Sequence, residues 1–184
     1  MKIKKGTFIH KIGSFIYNLT VVYAQWLVFK SAKNGVIWNR LGKSWRPFLW
    51  KLTGVDIKGH CSIGYDVYYD VGNAKRIHIE EGVWIASRCL LLCHKRDLSQ
   101  YYVGDDYNQQ PHKYDDIHLK KGCCVGMGSI VMPGVTIGEG AVIGAGSLVV
   151  KDIPPYCIAI GNPAKVVKHF PENPVKNTDN YVGS

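Results

Sequence analysis

The amino-acid sequence predicts an all-β fold, a parallel β-helix wound as a three-sided prism, with a helical segment ahead of it and one long loop inserted in it. Three observations carry that expectation. Leu119, Val125, Val131, Ile137, Ile143 and Val149 follow one another at six-residue intervals without a slip. Beside them runs a ladder of glycines, Gly122, Gly128, Gly134, Gly140 and Gly146, each three residues after an aliphatic. Small residues come next at Cys123, Ser129, Ala141 and Ser147, with Val135 the larger exception. A period of six suits neither the spacing of an amphipathic helix nor a strand that alternates in twos. It suits a coil of three six-residue sides, its aliphatics pointing inward and its glycines taking turn conformations that a Cβ disfavours.

Each segment follows from this pattern or from its breakdown. In residues 1–52, Ile12, Phe15, Ile16, Leu19, Val22, Tyr23 and Trp26 recur at helical spacing, while Lys11, Ser14, Asn18 and Gln25 fall toward the other face. Trp26, Trp38, Trp45 and Trp50 lie here among Lys30, Lys33, Arg40, Lys43, Arg46 and Lys51. Two readings stay open: a cap that hides the open end of the prism, and a basic interfacial helix that holds the chain at the inner face of an anionic membrane. Asn18, Thr20 and Gln25 interrupt the apolar run, so neither a signal peptide nor a spanning helix is expected. Residues 53–168 form the β-helix, where Ile57 with Ile63, and Ile79 with Ile85 and Leu91, repeat the period of six. Residues 64–78 shift its register once. Residues 92–116, rich in Tyr, Asp and Gln, shift it again as the inserted loop, and such a departure from a regular scaffold points to function. Residues 169–184 are read as a tail.

Composition narrows the class. A chain of 184 residues with 46% hydrophobic and 20% charged residues is one foldable unit, neither a disordered tail nor a multi-span membrane protein. Six cysteines without a CxxC unit argue for reduced thiols and a cytoplasmic setting rather than a zinc ribbon or a disulfide framework. The net charge of +9 calls for an anionic partner, a phosphorylated cofactor or a membrane surface. No nucleic-acid-binding signature accompanies it, so no nucleic acid is expected.

The segment GMGSIVMPGVTIGEGAVIGAGSLVVKDIPPYCIAIGNPAKVVK, residues 126–168, resembles the C-terminal coils of the hexapeptide-repeat acyltransferases. The nearest branch is that of the sugar and polysaccharide O-acetyltransferases of maltose, galactoside and colanic-acid type. The likeness covers about residues 55–168. It implies a left-handed β-helix, a homotrimer, acetyl-CoA bound in the groove between neighbouring prisms, and no metal. It also implies site residues. His94 matches the position of the family's catalytic histidine, although the stretch from Val83 to His94 is two residues shorter than in the sugar enzymes. The turn Gly126-Met127 matches the amide that meets the thioester carbonyl, with Met127 larger than the residue many relatives carry. Ala145 and the pair Val150-Lys151 match positions along the pantetheine arm and adenine. Lys165 and Lys168 match basic residues near the phosphates.

The residues support this chemistry on their own terms. Moving an acetyl group from a thioester to a hydroxyl needs a base, donors for the oxyanion, and alignment. His94 directly follows the apolar run Leu90-Leu91-Leu92-Cys93 and opens the loop, where a base could meet an acceptor. An acceptor for its second ring nitrogen is expected beside the substrate, and Asp70 and Asp97 are the candidates. Asp105, Asp106, Asp115 and Asp116, with Tyr101, Tyr102, Tyr107 and Tyr114, are candidates to bind sugar hydroxyls and faces. The expected function is acetyl-CoA-dependent O-acetylation of a sugar or glycan, nucleotide-linked or lipid-linked, in glycan or surface-polysaccharide assembly. Three alternatives remain at this point: N-acylation of an amino sugar or other small amine, a non-catalytic scaffold, and a zinc hydratase whose triad would be His94, His112 and His118.

Overall fold

The computed structural model describes residues 45–172, with Tyr23 and Leu27 before them. Within residues 45–172, sixteen short strands follow the helix α1 (Trp45–Leu52). Fourteen of the strands build the prism. Its first face stacks β1 (Asp56–Ile57), β4 (Ile77–Ile79), β9 (Ile117–Leu119) and β12 (Thr136–Ile137). The second stacks β2 (Ser62–Ile63), β5 (Trp84–Ile85), β10 (Cys124–Val125), β13 (Val142–Ile143), β15 (Cys157–Ile160) and the edge strand β16 (Lys165–His169). The third stacks β3 (Tyr68–Tyr69), β6 (Leu90–Leu91), β11 (Ile130–Val131) and β14 (Leu148–Val149). All neighbours pair in parallel except β15 with β16, which run antiparallel. The chain is a left-handed parallel β-helix.

The period of six is the spacing between successive faces. The second residue of each two-residue strand points inward and is buried: Ile57, Ile63 and Tyr69 in the first coil, Leu119, Val125 and Val131 in the third. Each such aliphatic, fully withdrawn from water, contributes about 1.5–3 kcal/mol. Two residues before each ladder residue a second side chain is buried, small at Cys61, Cys89, Cys123, Ala141 and Ser147 and larger at Val67, Val83 and Val135. The glycine ladder turns the corners between faces with φ between +61° at Gly140 and +86° at Gly134, the left-handed region that a Cβ penalises.

Helix α1 closes the first coil. Trp50 is buried with its ring 4.1 Å from that of Tyr69, and Thr53 Oγ1 and the Tyr69 hydroxyl share a 2.7 Å hydrogen bond. Arg46 donates from Nη1 to the Ile63 carbonyl, 3.1 Å away. The basic amphipathic run expected over residues 12–26 lies outside the described residues, as do residues 173–184 of the tail. Among the described residues no helix is long and apolar enough to cross a membrane.

The two register shifts have different structures. The first is confined to a 3-10 segment, Val71–Arg76, between β3 and β4. The second is an excursion that leaves the third face after Leu91 and re-enters the first face at Ile117. It is organised as an antiparallel hairpin, β7 (His94–Arg96) with β8 (His112–Tyr114), joined by a loop with a 3-10 turn at Tyr107–Gln109. Both departures leave the same corner of the prism, between the third face and the first.

Candidate functional site

Because the coils stack in register, that corner superimposes residues far apart in sequence. Tyr69 pairs with Leu91, so Asp70 lies beside the start of the excursion, and its backbone N–H donates to the Leu91 carbonyl at 3.2 Å. Cys93 is buried and anchors the hairpin, its carbonyl accepting from Asp115 N–H at 3.1 Å. His94 is the first residue outside the prism.

Its Nδ1 is hydrogen-bonded to Asp70 Oδ2. A carboxylate can only accept, so Nδ1 carries a proton, and the neutral form of the ring that this bond favours has its lone pair on Nε2. Nε2 has no hydrogen-bond partner among the described residues, and the His94 side chain is 41% exposed against 12% for Asp70. The imidazole is therefore held from within and open outward. Asn73, on the 3-10 segment, donates from Nδ2 to the same Asp70 oxygen at 2.8 Å. Tyr114 pairs with His94 across the hairpin, and the His112 ring stands edge-on at 5.6 Å. Arg76 lies over the Tyr114 ring and bonds Asp116 Oδ1 at 2.7 Å.

Of the two acids expected to orient His94, Asp70 takes that position and Asp97 does not. Asp97 Oδ1 instead accepts the Ser99 N–H at 3.0 Å, closing a turn in the loop, and this bond holds its carboxyl below the usual range. The loop acids are divided too. Asp105 and Asp106 cap local turns by accepting from the N–H groups of Tyr102 and Asn108. Asp116 faces the prism.

The alternative zinc triad of His94, His112 and His118 is not assembled among the described residues. His118 stacks on His78 instead, ring centroids 4.6 Å apart and planes within 10°. Burial, then the charges of His78 and Lys120, hold the His118 ring below the usual imidazole range. Arg76, His78 and Asn73 escaped the sequence reading as site residues. His78 and His118 carried one usable signal: each precedes a ladder aliphatic, Ile79 or Leu119, by one residue, so both face outward from adjacent coils.

The positions matched to acetyl-CoA fall on two corners. Gly126, Met127 and Ala145 share the corner between the second and third faces, on successive coils. A Cβ on Gly126 would lie 2.5 Å from the Ile143 carbonyl oxygen and 2.6 Å from Ala145 N, so only glycine permits this stacking. Met127 N–H and Ala145 N–H have no acceptor among the described residues, and both residues are exposed. Val150 and Lys151, also exposed, lie on the corner that carries His94, a full face away. Lys165 and Lys168 project from the edge strand β16, opposite Ile160 and Ile158.

No thiol is activated. Burial pushes Cys93 and Cys123 up to about 12 and Cys61 to about 11, with Asp70 and Asp116 adding to the shift at Cys93. Cys89, Cys124 and Cys157 are raised by burial as well. None is a thiolate that could carry an acyl group.

Fold and site define a class: a left-handed β-helix of six-residue repeats with a histidine–carboxylate pair on a hairpin at one corner. Residues 116–151 match the family model described as bacterial transferase hexapeptide (six repeats). That stretch is similar to the hexapeptide repeats of bacterial transferases, and the solved structures below share its fold. A galactoside O-acetyltransferase of Lactococcus lactis subsp. lactis is 37% identical over 84 residues, 45% of this chain and 41% of that protein. The chain spans about a third of the length of the first curated relatives it matches. Among solved structures, a maltose O-acetyltransferase from Clostridium difficile 630 shares the fold with a TM-score of 0.62 at 23% identity, covering 82% of this chain and 86% of that one. A hexapeptide-repeat acetyltransferase from Vibrio cholerae O1 biovar eltor, complexed with acetyl coenzyme A, shares it with a TM-score of 0.62 at 14% identity, covering 93% and 94%.

Proposed function

We propose that this chain is an acetyl-CoA-dependent O-acetyltransferase whose acceptor is a sugar hydroxyl in glycan or surface-polysaccharide assembly. The observation that carries the reading is the His94–Asp70 pair, an imidazole held through Nδ1 from behind with Nε2 facing outward. Acetyl-CoA supplies an acyl thioester, already activated toward a hydroxyl. The free Met127 and Ala145 N–H groups suit its carbonyl oxygens, and Lys151, Lys165 and Lys168 suit its phosphates. His94 Nε2 takes the acceptor's hydroxyl proton as its oxygen attacks the thioester carbon; the C–S bond then breaks, and the imidazolium, held by Asp70, returns the proton to the CoA thiolate. With every thiol held protonated, direct transfer to the acceptor is favoured over a cysteine-bound acyl group.

The homotrimer belongs to the same reading. The amide donors and His94 stand on different corners of one prism, so one groove bounded by both needs a second copy of the chain. The outward rows Trp84, Cys124, Val142, Ile158 and Tyr68, Leu90, Ile130, Leu148 offer apolar surface for that closure, as cyclic assemblies require. A cytoplasmic location and peripheral contact with the inner membrane face, through residues 1–50, rest on the sequence alone.

The test is transfer of acetyl from acetyl-CoA to a panel of hydroxyl and amino sugars, free, nucleotide-linked and lipid-linked, read by mass spectrometry. An O-acetyl product is expected, and His94→Ala should lower kcat by about 10²–10⁴ with the affinity for CoA little changed. Turnover near the wild-type value in that variant would place the base elsewhere. An N-acetyl product alone would replace the hydroxyl acceptor by an amine.

A further inference from the structure

The first face of the prism differs from the other two. Its outward row is Asp56, His78, His118 and Thr136, polar throughout. His78 and His118 are direct partners on adjacent parallel strands, and Asp116 stands two residues before His118. One ligand-capable atom from each of His78, Asp116 and His118 lies within 4.8 Å of the others, the only such group of three among the described residues. We propose that His78, His118 and Asp116 form a site for a divalent transition-metal ion of the zinc class, against the sequence expectation that the chain holds no metal. The inference is independent of the acetyl-transfer reading.

Four features carry it. The His78 Nε2 and Asp116 Oδ2 atoms are 3.1 Å apart. That contact is a hydrogen bond, and its length is close to the about 3.3 Å between two donors of a tetrahedral zinc site with bonds near 2.0–2.1 Å, so an ion that displaces the shared proton meets both atoms with little movement. The remaining closure falls to His118, whose ring nitrogens have no hydrogen-bond partner among the described residues and whose ring must tilt from its stack on His78. Behind His78, Asp56 Oδ2 bonds Nδ1 at 3.1 Å, the carboxylate–histidine arrangement that orients an imidazole ligand from its far side. Arg76 holds Asp116 by Oδ1, so that Oδ2, which bonds His78 Nε2, is the oxygen an ion would take.

Access and donor chemistry agree with this. A groove of about 210 Å³ whose lining includes Asp56, His78 and His118, with Asp116 behind it, opens onto the face and gives an ion a route to the two imidazoles. Lys58 and Lys120 also line it, and Lys120, just after β9, is engaged by Glu80 Oε1 at 3.1 Å. Two imidazoles and one carboxylate without sulfur select zinc or a similar borderline ion over calcium or magnesium, which take oxygen shells.

The experiment uses the full chain, stripped with a chelator and titrated with Zn²⁺ by calorimetry, then with Co²⁺ by absorbance. One Zn²⁺ per chain is expected, with affinity lowered roughly tenfold or more in His118→Gln and in His78→Gln. His94→Gln should bind as the wild type does. Co²⁺ should give visible ligand-field bands of a four-coordinate nitrogen–oxygen site and no thiolate charge-transfer band in the near ultraviolet. Circular dichroism checks the fold of each variant, and His118→Gln, which breaks no hydrogen bond, serves if His78→Gln unfolds. Stoichiometry well below one, binding untouched by either substitution, loss in His94→Gln, or a thiolate band would each overturn the proposal.

Discussion

From Leu119 to Val149 the chain turns corner after corner with six residues per side, whereas between Tyr69 and Ile117 it twice leaves the coil at the same corner. Both regions contribute buried ladder residues, and both lie in the same three sheets. The regular stretch contributes exposed amides and small residues, Met127 and Ala145 among them. The irregular stretch contributes side chains that can ionise, donate and accept: Asp70, Asn73, Arg76, His94 and Asp116. Stacking explains the division. A repeat that must hydrogen-bond to identical neighbours above and below has no freedom to aim a side chain, so chemistry gathers where the repeat is broken and the coils beneath still fix position.

The largest effect expected from this contrast is on stability, in the regular part. Ile137→Ala removes a fully buried ladder side chain between Leu119 and Ile153. It should destabilise by about 2–5 kcal/mol in denaturant unfolding, with turnover per folded molecule little changed. A large fall in kcat with stability intact would show that scaffold and site are not separable. The irregular part should behave in the opposite way. Asp70→Asn keeps the shape but presents an amide to His94 Nδ1, so the imidazole loses its anionic partner and its fixed tautomer. A fall in kcat of about 10²-fold is expected, with unfolding almost unchanged and the acidic limb of the pH–rate profile moved. An unaltered profile would make Asp70 merely structural. A smaller effect sharpens the thiol argument: at pH 8 the native cysteines should react with a disulfide reagent far more slowly than in the unfolded chain, and without inactivation. Rapid labelling of one thiol with loss of activity would reopen a covalent route.

The fold was legible because every coil solves the same packing problem in the same way, so the solution is written six times between Leu119 and Val149. The site was legible only in part. His94 stood out because the apolar run Leu90-Leu91-Leu92-Cys93 ends at it. The hairpin did not, since His94–Arg96 and His112–Tyr114 face solvent and carry no alternating apolar pattern to read. Asp97 and Asp70 remained equal candidates in sequence, because chain separation is a poor guide to distance in a coiled scaffold. Asp97 is three residues from His94 and turns away to Ser99, while Asp70, a coil below, is brought to Nδ1 by the pairing of Tyr69 with Leu91. The same rule would have paired His78 with His118.

The smallest effect tests how the two coils are held together across the excursion. Glu80 follows β4 and Lys120 follows β9, so the two meet although the hairpin lies between them in sequence. Glu80 Oε1 accepts from Lys120 Nζ at 3.1 Å, and Oε2 accepts from the Lys121 N–H at 3.0 Å. The Lys120 bond, with the Lys121 N–H behind it, holds the Glu80 carboxyl below the usual carboxylate range. Both side chains remain more than a third exposed, so the pair is screened and should contribute less than about 1 kcal/mol. A carboxyl with a lowered folded-state pKa stabilises the fold fully above its unfolded value, roughly 4.3, and loses that contribution as pH falls through the folded value. Glu80→Gln should therefore lower Tm by about 2–4 °C or less at pH 7 and low salt. The gap to wild type should narrow as pH falls below the unfolded value and through the lowered folded value of Glu80, and shrink in 1 M salt. A gap that persists unchanged below that folded value would mean that Glu80 holds the coils by shape rather than by charge.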